Sequence, residues 1–283
     1  MECESVRVTL DLASLAPELE CGADGIWFAR RREPVSYPAH GNAACLQVED
    51  RSFWFRHRNR CVVAMVRRFA PAGIFLDIGG GNGYVAQGLV RAGIACALLE
   101  PGIDGARAAR ARGIDPVICA RLEDCGLPPG SIAAAGMFDV LEHIEDEVGA
   151  LRLVHGLLPP GGRLFLTVPA YGFLQSADDV AAGHFRRYTL ARLARAVATA
   201  GFRMEHATYM FAPLPPPVFL LRTVPSLLGL RRGVDEQRLA AEHAPDGMAV
   251  RLIDRLLDIE ARRIEAGRRV PFGTSCLGVA VKD

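Results

Sequence analysis

The sequence predicts an α/β domain of the Rossmann-like kind, and three features carry that expectation. From Gly73 onward short apolar runs alternate with helix-patterned stretches, one of those runs ends in a cluster of glycines that opens a helix, and half of the 283 residues are apolar. The last of these is enough for a sizeable buried core. Short apolar runs joined through helices need crossover connections, hence a mainly parallel sheet with helices on both faces.

Residues 1–52 are rich in Gly, Pro and Arg and show no sustained period, so they are expected to form an N-terminal extension to a domain spanning 53–283. In FWFRHRNRCVVAMVRRF, Phe55, Cys61, Val62, Met65 and Val66 fall near helical spacing with arginines around the other side, an amphipathic helix. Pro71 and Gly73 end it. GIFLDI, ACALLE, DPVICA, SIAAAGMF, GRLFLTVPA and FRMEHATYMF then read as strands, with YVAQGLVRAG, DGARAARARG, EDEVGALRLVHGLL and TLARLARAVATAGF as the helices between them. APLPPPVFLLRTVPSLLGL is apolar but broken by five prolines, too many for a membrane span. It opens a helical insert at about 212–272, before TSCLGVAVK alternates like a last strand.

Composition narrows the function. With 33 basic and 32 acidic side chains the chain has no net field to hold a nucleic-acid backbone or an anionic membrane, so a small-molecule partner is expected and nucleic acid is not. The eight cysteines form no C-x-x-C pair of the kind that builds a zinc ribbon or a redox site. The first dozen residues carry early acids and no basic-then-apolar pattern, so no signal peptide is expected; reduced thiols and a cytoplasmic location follow from that reading. The oligomeric state, a homodimer included, stays open.

In FLDIGGGNGYVA a buried strand ends in Asp77 and passes through Gly79, Gly80, Gly81, Asn82 and Gly83 before a helix begins. Such a turn brings backbone within contact distance of a ligand and aims helix N-terminal amides at it. Gly81, Gly83 and Ala86 imitate the nicotinamide G-x-G-x-x-A fingerprint, which keeps an NAD(P)-dependent oxidoreductase as an alternative. Asp77 argues otherwise, because a carboxylate beside the turn suits a ligand ending in an ammonium and repels a pyrophosphate. Glu100, closing the next strand, is placed to accept ribose hydroxyls.

These residues resemble a known family. LDIGGGNGYVAQGL, LLEPG, LEDCGLPPGSIAAAGMFDVLEHIED and LLPPGGRLFLTVPA, in that order over residues 73–211, are similar to the class I S-adenosylmethionine-dependent methyltransferases, in particular the branch around ubiquinone and menaquinone biosynthesis. The resemblance implies a seven-stranded sheet of order 3-2-1-4-5-7-6 with an antiparallel last strand. It implies a cofactor site in which Asp77, Gly79 and Gly81 hold the methionine moiety, Glu100 and Pro101 lie at the ribose, Leu122 and Glu123 at the adenine, and Asp139 borders the sulfonium. A catalytically idle cofactor-binding partner subunit is the other alternative.

A looser resemblance, in SADDVAAGHFRRYT, makes His184, Arg187 and Tyr188 candidates for the acceptor side, with Trp54 on the leading helix. Methyl transfer to a hydroxyl, the favoured acceptor atom, needs a base, and His143 and His184 are the candidates because imidazole titrates near neutrality. Packing or capping explains each histidine equally well. Asp139-x-x-Glu142-His143 is also similar to the E-x-x-E-H metal motif of related methyltransferases, with His184 as a further ligand; two carboxylates and two imidazoles suit a divalent ion. Arg56, Arg58 and Arg60 read either as a solvated helical face or as groups closing over the cofactor.

Overall fold

A computed structural model describes residues 10–30, 45–46, 48–69, 71–230 and 248–283. Among the described residues nine strands form one sheet: β1 (Leu19–Cys21), β2 (Ile26–Ala29), β3 (Phe75–Ile78), β4 (Cys96–Leu99), β5 (Val117–Cys119), β6 (Ala134–Phe138), β7 (Arg163–Pro169), β8 (Phe202–Met210) and β9 (Ser275–Lys282). Their order is β1-β2-β5-β4-β3-β6-β7-β9-β8. Leaving β1 and β2 aside, this is the expected 3-2-1-4-5-7-6 arrangement, and β9 runs antiparallel to both neighbours. The count is nine rather than seven because residues read as lacking a period contribute a hairpin, whose second strand pairs parallel to β5 and extends the sheet edge.

Helices cover both faces because strand side chains alternate. On one face α1 (Phe53–Arg68), α2 (Tyr84–Arg91), α3 (Ile103–Ala111) and α6 (Met248–Glu265) bury Met65, Leu89, Ala109 and Ile264 against Phe75, Leu98, Val117 and Phe165. On the other, α4 (Glu147–Leu157) and α5 (Leu190–Thr199) bury Leu151, Val154, Leu193 and Val197 against Leu76, Ile78 and Leu164. Along β3 the same alternation sends Asp77 to the face that α1 covers. Ser52 caps α1 by accepting from the Trp54 amide, which fixes where that helix starts.

Between β8 and β9 the chain runs through a helical stretch over 215–227 and then α6. Glu260 of α6 fastens this region: its two oxygens accept the amides of Phe211 and Ala212, each at 2.6 Å, and Oε1 also bonds His57 Nε2 of α1 at 2.7 Å. The carboxylate thereby satisfies the backbone just after β8, where Phe211 has a left-handed φ of 63°. No described helix is long and apolar enough to cross a membrane.

Candidate active site

At the C-terminal ends of β3, β4 and β6, a cavity of about 1380 Å³ opens beneath α1. That exceeds the usual ~300–1,000 Å³ of a single-ligand pocket, so it has room for a cofactor and an acceptor together. Asp77, Gly79, Gly80, Gly81, Asn82, Glu100, Pro101, Leu122, Glu123, Asp139, Glu142, His143, His184, Arg187 and Trp54 all line it. Two expected residues do not. Gly83 is the left-handed N-cap of α2 and packs on Ala109. Tyr188 is fully buried with its hydroxyl donating to Glu147, which makes it core rather than an acceptor contact.

The glycine turn has little room for side chains. A Cβ on Gly80 would lie 2.6 Å from Leu98 Cδ1 and 2.9 Å from Asp77 Oδ2, and one on Gly79, at φ 66°, would lie 2.7 Å from Val140 Cγ2. Glu100 is braced at the end of β4: Oε2 accepts the Gly81 amide at 2.9 Å and Oε1 the Gly102 amide at 2.8 Å. Asp77 is buried, and its Oδ2 has no hydrogen-bond partner. Burial pushes its carboxyl up to about 7, against the pull of the Arg58 charge. A buried acceptor without a donor, beside a cradle closed to side chains, fits a ligand that brings its own cation.

Arg58 reaches from α1 to Asp139, stacking over Trp54 with its guanidinium carbon 4.7 Å from the ring centre. Its Nε, also buried, has no partner. Arg56 and Arg60 of that helix do not line the cavity: Arg60 pairs with Asp258 and Glu265 of α6, and Arg56 donates to the Arg51 carbonyl. Trp54 in turn stacks on Phe211 at 5.4 Å.

On the acceptor side Glu142, His143 and His184 place ligating atoms within 4.8 Å of one another. Asp139, expected to join them as a metal ligand, is not among the atoms within that distance and pairs with Arg58; its φ is left-handed, at 58°. Glu142 is buried with Oε2 unpartnered, and burial together with the Asp139 charge pushes its carboxyl well above the usual range. Burial and then the neighbouring His184 lower His143 to about 4, so its ring is neutral near pH 7. The two imidazoles meet edge to face at 4.6 Å.

His184 is held from behind by Asp179, a residue not singled out in the sequence. Asp179 Oδ1 lies 2.9 Å from His184 Nδ1, and Arg187 bonds both oxygens of the same carboxylate, at 2.8 and 3.1 Å. Burial raises the Asp179 carboxyl, but the His184 hydrogen bond and the Arg187 charge outweigh it and hold it below the usual carboxylate range. The available signal was the Ser176–Asp179 capping box inside the quoted motif. Glu49 was missed too; it lines the cavity from the N-terminal extension and pairs with Arg112 at 2.7 Å. Beyond the histidines the cavity wall turns apolar, with Leu214, Pro217, Val218 and Leu221 of the insert.

A mainly parallel sheet whose β9 runs antiparallel, a glycine turn after the first core strand and an acid closing the second are the features of a domain that binds a nucleoside cofactor. The chain belongs to the methyltransferase domain family, whose profile matches residues 50–207, and it is an S-adenosylmethionine-dependent methyltransferase. It is 26% identical over 183 residues to a probable S-adenosylmethionine-dependent methyltransferase of Mycolicibacterium smegmatis, a match covering 63% of this chain and 70% of that protein. It is 28% identical over 103 residues to the ubiquinone biosynthesis O-methyltransferase of Xanthomonas campestris, a match covering 34% of this chain and only 43% of that enzyme. The fold is shared with a Thermotoga maritima SAM-dependent methyltransferase described as a possible histamine N-methyltransferase, with a TM-score of 0.53 and 16% identity, covering 84% of this chain and 97% of that one.

Proposed function

We propose that this enzyme methylates an oxygen of a small-molecule acceptor, with His184 taking the acceptor's proton. The observation that carries the reading is an imidazole at the cavity wall backed by a buried carboxylate, 2.9 Å from its inner nitrogen. Asp77 would hold the ammonium end of the cofactor, Gly79–Gly81 its methionine backbone, Glu100 and Pro101 the ribose, and Leu122 and Glu123 the adenine. Bound there, S-adenosylmethionine supplies a methyl group on a sulfonium, an electrophile that needs no activation by the protein. The chain's own task is to align the acceptor, exclude water and accept one proton as the oxygen is alkylated. His143, held near 4, is a weak base, and His184 is therefore the better candidate. The oxygen-directed relative from Xanthomonas supports the choice of atom.

The test is calorimetric titration with S-adenosylhomocysteine followed by a panel of phenols, catechols and amines. His184→Gln is expected to leave product affinity within twofold while lowering kcat on a hydroxyl acceptor at least ~100-fold, the scale of a lost general base. Full activity of this variant, or turnover confined to amines, would remove the reading.

Affinity should also depend on pH in a stated direction. With the free Asp77 carboxyl near 7, the ligand's ammonium must displace a proton below that pH. Affinity for S-adenosylhomocysteine is thus expected to fall about tenfold per pH unit from 7 to 5 and to level off above 7. Asp77→Asn should flatten the curve, and a flat curve in the wild type would contradict the assignment.

A second reading has its own observation. Glu142, His143 and His184 offer one carboxyl group and two imidazoles, an N/O set that fits a divalent ion, and the unpartnered Glu142 Oε2 lacks only a cation or a donor. Such an ion would lower the acceptor hydroxyl's pKa. Under this reading, metal analysis finds about one ion per chain and a chelator abolishes turnover; metal-free protein with full activity excludes it.

A further inference from the structure

We propose that Asp179 is a positioning residue that fixes the tautomer of His184, keeping the proton on Nδ1 and leaving the Nε2 lone pair for the cavity. The inference deepens the reading of His184 as the reacting imidazole, but its geometry and its NMR readout do not depend on any acceptor.

Asp179 is 3% exposed and is surrounded by donors. Oδ2 accepts the Ser176 amide at 2.8 Å, the Ser176 hydroxyl at 3.2 Å and Arg187 Nη2 at 3.1 Å; Oδ1 accepts Arg187 Nε at 2.8 Å. The remaining neighbour is His184 Nδ1, 2.9 Å from Oδ1. A carboxylate in this company has no acceptor to which it could give a proton, so the His184 contact is a hydrogen bond only when Nδ1 carries the hydrogen. On a neutral ring Nε2 is then unprotonated.

The ring has few other places to go. The His184 amide donates to the Asp179 carbonyl at 2.8 Å, and the next residue, Phe185, donates its amide to the Glu142 carbonyl at 2.8 Å. Arg187 Nη1 is anchored on the Ala170 carbonyl at 3.0 Å, so the guanidinium that steadies Asp179 is itself tied to the end of β7. The same tautomer serves whether Nε2 takes a proton or holds a metal ion, because both need its lone pair.

The arrangement makes an asymmetric forecast for Asp179→Asn. An asparagine must turn its oxygen toward one side and its amide hydrogens toward the other. The Oδ2 side faces two obligate donors, the Ser176 amide and Arg187 Nη2, besides the Ser176 hydroxyl, whereas the Oδ1 side faces one, Arg187 Nε, and the His184 nitrogen, which can switch between donor and acceptor. The oxygen will therefore take the Ser176 side, the amide will donate to His184 Nδ1, and the ring's proton will move to Nε2. A nearly isosteric change thus removes the lone pair from the cavity without removing the imidazole.

Nitrogen-15 NMR of the histidine rings at alkaline pH, with His184 assigned by its absence in His184→Gln, reads this directly. Wild-type protein should show His184 as the Nδ1–H tautomer and Asp179→Asn should show it as Nε2–H. S-Adenosylhomocysteine affinity should stay within twofold and kcat should fall at least 100-fold with KM little changed. An Nε2–H ring in the wild type overturns the proposal, as does a ring that keeps Nδ1–H in the variant. If Asp179→Asn does not fold, the wild-type tautomer alone decides. If the tautomer switches but turnover of hydroxyl acceptors persists, the positioning role stands and the assignment of His184 as base fails, so the two are separable.

Discussion

Alanine at Asp77 is expected to weaken S-adenosylhomocysteine binding by at least ~100-fold at pH 8, the scale of losing one partner of a buried charge pair, about 2–5 kcal/mol. The carboxylate sits 1% exposed on the cavity floor with one oxygen unpartnered, and under the proposed placement the ligand's ammonium would be the donor that completes it. Folding should survive the change, since an unpaired buried carboxyl contributes no hydrogen bond at that oxygen and its removal relieves a desolvated group. Calorimetry and a thermal melt run side by side separate the two effects. A variant that binds within threefold of the wild type would place the cofactor's ammonium elsewhere and undermine the whole placement of its methionine end.

The second large effect concerns stability. Glu260→Ala removes the acceptor for three buried donors at once, the amides of Phe211 and Ala212 and the His57 ring. Each stranded group costs about 1–3 kcal/mol, and the sum is expected near 3–5 kcal/mol because the site will relax or admit water. For a chain of this size that is a fall in Tm of roughly 10 °C. Glu265→Ala, which breaks a partly exposed pair with Arg60, is the control and should cost no more than ~1 kcal/mol. Equal losses in the two variants would show that Glu260 is an ordinary ion pair and not the fastening between β8, α1 and α6.

Local features of the chain were legible in its sequence. The run FLDI, the glycines after it and Glu100 lie within one strand-turn-helix-strand unit, and near-neighbour chemistry determines what such a unit does. The hairpin of β1 and β2 was not legible, because strands of three and four residues are too short to show a period and the pairing of β2 with β5 joins residues about ninety apart. Arg58 was placed on its helix by the sequence, yet its partner Asp139 lies 81 positions away, and nothing local announces that contact. Tyr188 failed for a simpler reason. The segment carrying it bridges to Ala170 in extended form, so consecutive side chains face opposite ways; Arg187 reaches the cavity wall and Tyr188 enters the core. Asp179 belonged to the quoted motif, but its service to His184 depends on a turn that the motif alone does not disclose.

Consecutive residues of α1 serve two masters. His57 is bolted to Glu260 and thereby to the far end of the sheet, while Arg58, the very next residue, forms part of the cavity wall. A single turn of helix is thus both keystone and doorframe. Any mutation that loosens the first will rattle the second, so screens for cofactor affinity in this enzyme will keep returning stability variants, and the two traits will have to be selected together.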